Sequence, residues 1–87
     1  MDFNTLVSQM RLLMTAGESF TAPLARTKAL KAGIEISDAW AAIKYGTPIP
    51  VEGNPVRAGF LYNDLSVIAA LADDGLVVLV SAKRVKA

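Results

Sequence analysis

The sequence predicts an α+β domain, with two to three short N-terminal helices packed on a C-terminal antiparallel β-meander of three to four strands. Two observations carry this. Apolar residues near the N-terminus recur with a helical period, and the second half turns to β-prone runs separated by Gly, Pro, Asn and Asp. Runs of helices followed by runs of strands give this class. At 87 residues the chain makes one domain, 1–87, mainly helical over 1–46 and mainly β over 47–87.

The first helix is the clearest element. Phe3, Leu6, Val7, Met10, Leu13 and Met14 fall on one stripe of a 3.6-residue helix. Asp2 or Asn4 can cap its start, and Gly17 suits the position just past its end. The stripe has two readings. It faces the domain's own core, or Met10 and Met14 lend an adaptable surface to a partner.

A second helix begins at Thr21-Ala22-Pro23, where proline is tolerated in the first turn, and ends at Gly33. Its stripe is weak and alanine-rich. Ile34-Glu35-Ile36 reads as a very short strand or an extended linker. Ser37 is placed to cap a third helix over Asp38 to Tyr45, stopped by Gly46. Trp40, the only tryptophan, is either a core anchor whose indole N–H finds one acceptor or an interface hot spot.

From Thr47 the texture changes. Pro48 and Pro50 fix an extended path unsuited to a central strand, and Gly53-Asn54-Pro55 reads as a turn. Strands are expected near Val56–Tyr62, Leu65–Leu71 and Leu76–Arg84, the last two joined by the Ala72-Asp73-Asp74-Gly75 loop. Gly59 marks a bulge or a close-contact point. Leu65–Leu71 also fits a helix capped by Asp64. The β-branched Val67 and Ile68 and the Asp-Gly loop favour the strand. Leu76 to Val80 is apolar on both faces, which suits a central strand or an edge strand covered by a partner.

Composition then narrows the function. The chain has no histidine and no cysteine, so it lacks the commonest general base, the commonest transition-metal ligand and the best protein nucleophile. Asp73 and Asp74 are adjacent in a turn, which is ordinary loop chemistry rather than a spaced carboxylate pair. Ser37, Ser66 and Ser81 have no histidine to activate them. No phosphate-loop or calcium-loop spacing occurs. No enzymatic activity, catalytic residue, metal or cofactor is therefore expected. No apolar run approaches the ~18 residues of a transmembrane helix, Asp2 sits where the basic n-region of a signal peptide should be, and no apolar h-region follows, so a cytoplasmic protein without a membrane partner is expected.

Hydrophobic residues make up 53% of the chain, above the usual ~45–50%, while a domain this short has a thin core. Part of that apolar content is expected to meet another protein or a second copy. The partner-binding candidates are Met10, Met14, Trp40, Tyr62, Val78 and Val80. The expected function is a small non-enzymatic interaction module, self-associating, that serves as an accessory factor or inhibitor of another protein. Its size suits a phage or mobile-element product. Two alternatives stay open. One is nucleic-acid binding through Arg26, Lys28, Lys31, Lys83, Arg84 and Lys86, with Tyr45, Phe60 and Tyr62 as stacking surfaces. Against it, nine Lys/Arg face eight Asp/Glu, a net charge of +1. The other is an oligomer that binds a small ligand at its subunit junctions.

Overall fold

The computed structural model describes residues 2–85. Three helices, α1 (Phe3–Thr15), α2 (Pro23–Lys31) and α3 (Ile36–Tyr45), accompany five strands. The strands are β1 (Ser19–Thr21), β2 (Thr47–Pro50), β3 (Arg57–Tyr62), β4 (Leu65–Leu71) and β5 (Val77–Arg84). They form one sheet in the order β1-β5-β4-β3-β2.

The expected α+β class holds, but the sheet is a five-stranded mixed sheet rather than an antiparallel meander of three to four strands. β2 to β5 are antiparallel neighbours, while β1 lies parallel to β5, pairing Ser19 with Val77 and Thr21 with Leu79. β1 has three residues and no alternation, so no local pattern announces it. It forms because β5 offers an unpaired edge. β5 is thereby flanked on both sides and is not an edge strand. β2, with its two prolines, pairs only with β3, the place where a strand lacking N–H donors is tolerated.

The helix ends follow local rules. At the α2 terminus the Ile34 N–H donates to the Ala29 carbonyl at 2.8 Å and the Gly33 N–H to the Leu30 carbonyl at 3.1 Å. This is a Schellman closure, with Gly33 at φ 71 as its left-handed residue. Ile34 is drawn into the core by that turn, so Ile34–Ile36 is neither a strand nor a free linker. α3 starts earlier than Ser37 implies. Its N-cap is Glu35, without a side-chain cap bond, and Ser37 lies exposed inside the first turn.

At the start of α1, the Asp2 carboxylate accepts the Thr5 N–H at 2.7 Å. This bond favours the ionised form and holds the Asp2 carboxyl below its ordinary value. A group depressed in the folded state stabilises above its unfolded pKa and loses that contribution as pH falls through the folded one. Asparagine caps equally well but does not titrate there. Asp2→Asn is therefore expected to flatten the acid limb of the Tm–pH curve below about pH 4 while leaving neutral stability nearly unchanged. An unchanged acid limb in the variant would exclude the cap from acid unfolding.

All three helices pack on one side of the sheet. Register shows why. Ala58, Ala69 and Leu79 line up across β3, β4 and β5, as do Phe60, Val67 and Ala82, and all six are buried in a single cluster with Leu6, Val7, Met10, Ala25, Ala29, Ala39, Ala42 and Ile43. A bulge shapes β5. Ile68 pairs with Ser81 and Ala69 with Leu79, leaving Val80 as the extra residue. The insertion shifts the alternation by one, so Leu79 and Ala82 both face the helices.

Arg11 ties the helical layer together. Its Nε donates to the Ile43 carbonyl at 3.0 Å and its Nη2 to the Gly46 carbonyl at 2.8 Å, so it closes the C-terminal end of α3. The same guanidinium lies 5.6 Å from the centre of the Phe60 ring.

Candidate protein-interaction face

Among the described residues no helix covers the opposite side of the sheet. Its residues are the register partners of the core rows, read one position along each strand. Phe20, Val78, Ala70 and Arg57 form one row across β1, β5, β4 and β3. Ser81, with the bulged Val80 beside it, Ile68, Gly59 and Ile49 form the middle row from β5 to β2. Lys83, Ser66, Leu61 and Thr47 form the third.

Antiparallel sheets with one solvated face normally make that face polar. Here an apolar band runs from Phe20 on β1 through Val78, Val80, Ala70 and Ile68 to Ile49 and Leu61, while Arg57, Ser81, Lys83, Ser66 and Thr47 are the polar residues of these rows. Phe20 is 51% exposed, Leu61 41% and Ile49 39%, while Ile68, Ala70, Val78 and Val80 are half-buried only by their neighbours in the sheet. The charges in these rows are the two cations at opposite corners, Arg57 and Lys83. An apolar surface this continuous marks a contact site more often than it marks plain solvent-exposed surface.

Of the six partner-binding candidates read from sequence, the structure brings together two. Val78 and Val80 lie on the open face. The other four sit on the helical side, separated from them by the sheet. Met10 is fully buried and presents no surface to a partner, because the α1 stripe faces the domain's own core. Met14 is half-buried against that core. Trp40 also packs against it, and its indole N–H donates to the Thr21 hydroxyl at 3.1 Å, pinning α3 to β1. Tyr62 packs against the core with its ring centre 6.4 Å from that of Tyr45.

Phe20, Ile49, Leu61, Ile68 and Ala70 are the face residues that sequence reasoning missed. One signal could have found Leu61, Ile68 and Ala70, since they alternate with core residues along β3 and β4, whereas β1 and β2 hold no buried residue to alternate with. That signal becomes readable only once register is known.

The basic residues do not form one surface. Arg26, Lys28 and Lys31 are exposed on α2, and Lys83 projects from the open face of the sheet. Arg84 is occupied. It pairs with Asp64 at 2.6 Å and donates to the carbonyls of Ala32 and Gly33, where it closes the C-terminal end of α2. Lys86 lies outside the described residues. Phe60 is buried in the core, so it offers no stacking surface.

Among the described residues no three His, Cys, Asp or Glu side chains come together as metal ligands, and no helix is long and apolar enough to cross a membrane. Two open clefts border the helices. One of about 350 Å³ lies between Phe3 of α1 and the Pro50–Arg57 segment, and one of about 470 Å³ lies beside the C-terminal end of α2, lined by Arg26, Leu30, Ile34 and Ile36. Neither holds a converging set of polar groups. Compared with known proteins, the chain matches no family model, no curated protein and no solved structure.

Proposed function

We propose that this chain is a non-enzymatic protein-interaction module of the cytoplasm, self-associating and acting as an accessory factor or inhibitor of another protein. The observation that carries the reading is the bare apolar sheet face opposite the helices. A thin-cored domain gains little from exposing Phe20, Ile49 and Leu61 beside the half-buried Ile68 and Val78 unless something covers them. The face extends across the strands with no enclosed cavity among its lining residues, which suits another protein surface better than a small molecule.

The test is a matched pull-down with tagged wild-type protein and tagged Val78→Lys. Val78 is on the open face, so the variant keeps its circular dichroism spectrum and loses the proteins retained by the wild type. Retention of the same proteins by a folded Val78→Lys would rule out the open face as the binding surface.

Nucleic-acid binding is the second reading. Arg26, Lys28 and Lys31 are exposed on a helix with no acidic residue of its own. The engagement of Arg84 and the separate direction of Lys83 leave this reading three cations on one short helix. It expects affinity that falls steeply with salt and disappears in Lys28→Glu/Lys31→Glu. Absent or salt-insensitive binding by the wild type removes it.

A further inference from the structure

Gly59 occupies the middle of β3, where glycine weakens a strand and offers its neighbours nothing to pack on. A strand glycine is ordinarily explained by a left-handed φ, a bulge or a neighbouring backbone that leaves no space. Gly59 has none of these. Its φ is not positive. β3 keeps unbroken register with β2 and β4 through Gly59, and the register shift lies between β4 and β5. A Cβ placed there meets nothing nearer than the Ile49 carbonyl oxygen at 3.4 Å, an ordinary contact. The single chain has room for a methyl group at this point, in van der Waals contact with Ile49 and Val67, and does not fill it. The remaining physical reason is close approach by something from outside, on the open face.

The register partners of Gly59 are Ile49 on the edge strand β2 and Ile68 on β4, and Ile68 is the one nearer the centre of the sheet. A knob beside a notch is self-complementary. A two-fold axis lying in the interface and running between β3 and β4 sets Ile68 of each copy over Gly59 of the other. The same operation places Arg57 opposite Ala70 and Lys83 opposite Thr47, so the two cations in these rows meet neutral residues and not each other. The size also fits. The axis overlaps β5, β4, β3 and β2 and leaves β1 with Phe20 outside; four strands spaced about 4.8 Å apart and rising about 3.3 Å per residue make a face roughly 20 Å across in each direction. With side-chain relief this is on the order of 600 Å² per copy, the lower end of what a specific dimer buries.

Resting on the reading that the open face docks protein, we infer that its occupant is a second copy of this chain, packed sheet to sheet with Ile68 of each copy seated in the Gly59 notch of the other. Aligned sheets packed this way stand about 10 Å apart, a spacing that a methyl group in the notch would disturb.

The experiment is sedimentation equilibrium of the full chain, as wild type, Gly59→Ala and Ile68→Lys, each checked by circular dichroism. The wild type is expected at twice the chain mass. Gly59→Ala separates assembly from folding. Alanine is the better strand residue, so the Tm of the dilute monomer stays level or rises. The added methyl, present twice in the dimer, weakens dimerisation about 10- to 100-fold. Ile68→Lys is expected to be a folded monomer. A dimer that forms equally well in either variant overturns the inference, as does a wild type that remains monomeric at high concentration. In the monomeric case an apolar fluorescent dye separates the two readings. Dye bound by the wild type and lost in Ile68→Lys overturns only the second copy as occupant. Equal dye binding by both proteins removes the docking face as well.

Discussion

Leu79→Lys is expected to yield no folded protein, whereas Val78→Lys, one residue earlier on the same strand, folds. Leu79 is fully buried on β5, between Thr21 and Ala69 in the register and beneath the helical layer. Lysine there loses the apolar burial of leucine, about 1.5–3 kcal/mol, and leaves an ammonium without a partner, which costs several kcal/mol more even after relaxation. β5 is flanked on both sides, so the side chain has no short path to water. A domain of this size has roughly 4–13 kcal/mol in total, and the substitution consumes most of it. Val78 projects from the opposite face, where a lysine stem can lie along the sheet with its charge in solvent. Far-UV circular dichroism and urea melts of the two variants decide the matter. A cooperative, wild-type-like melt for Leu79→Lys would mean that the helices do not cover this face of the sheet.

Gly46→Ala is expected to destabilise the fold by about 3 kcal/mol, the upper end of what overpacking ordinarily costs. Gly46 closes α3 and leads directly into β2, where the chain must pass between the end of the helix and the sheet. A Cβ at this position would overlap the Ala42 carbonyl oxygen and lie 2.7 Å from that of Leu61. Both obstacles are backbone, one in α3 and one in β3, so relief requires the helix to move away from the sheet. That movement also draws the Ile43 and Gly46 carbonyls from Arg11, which holds both. Urea denaturation gives the loss directly. A change below about 0.5 kcal/mol, the scatter of ordinary surface substitutions, would show that α3 does not pack this tightly on β3. Gly46→Ala and Gly59→Ala are chemically identical and are expected to act in opposite directions on the single chain. One site is crowded by backbone, and the other is open.

Gly46 also shows how far sequence reasoning reaches. A glycine after Tyr45 reads as a helix stop, and the helix does stop there, but its backbone is not left-handed: φ is −75. The glycine is required by two carbonyls, that of Ala42 in its own helix and that of Leu61 in β3, and the second is distant in sequence. Gly17 and Gly33 are different. Both adopt positive φ in closures formed by their own helices, and the sequence locates them for the right reason. The strand at Leu65–Leu71 was legible in the same way, through its β-branched residues and the Asp-Gly loop beside it.

The candidate face was less legible. Val78 and Val80 were readable as a surplus of apolar residues in one strand, but Met10, Met14, Trp40 and Tyr62 came from the same kind of surplus and belong to the helical side. Apolar character alone does not say which side of a sheet a residue occupies. The bulge compounds this. Simple alternation from Val77 through Leu79 would turn Ser81 toward the helices, whereas the insertion at Val80 turns Ala82 inward instead.

The sequence by itself determined the helices, their stops, the two later hairpin strands and the α+β class, because these follow from spacing and turn chemistry within a few residues. Only long-range pairing settles that Ser19–Thr21 joins the sheet, that β5 is central, and which side chains lie on the face opposite the helices. Those outcomes depend on strand pairing between opposite ends of the chain and on a one-residue bulge. A shift of one residue in register exchanges the two faces of a strand, and no local pattern fixes it.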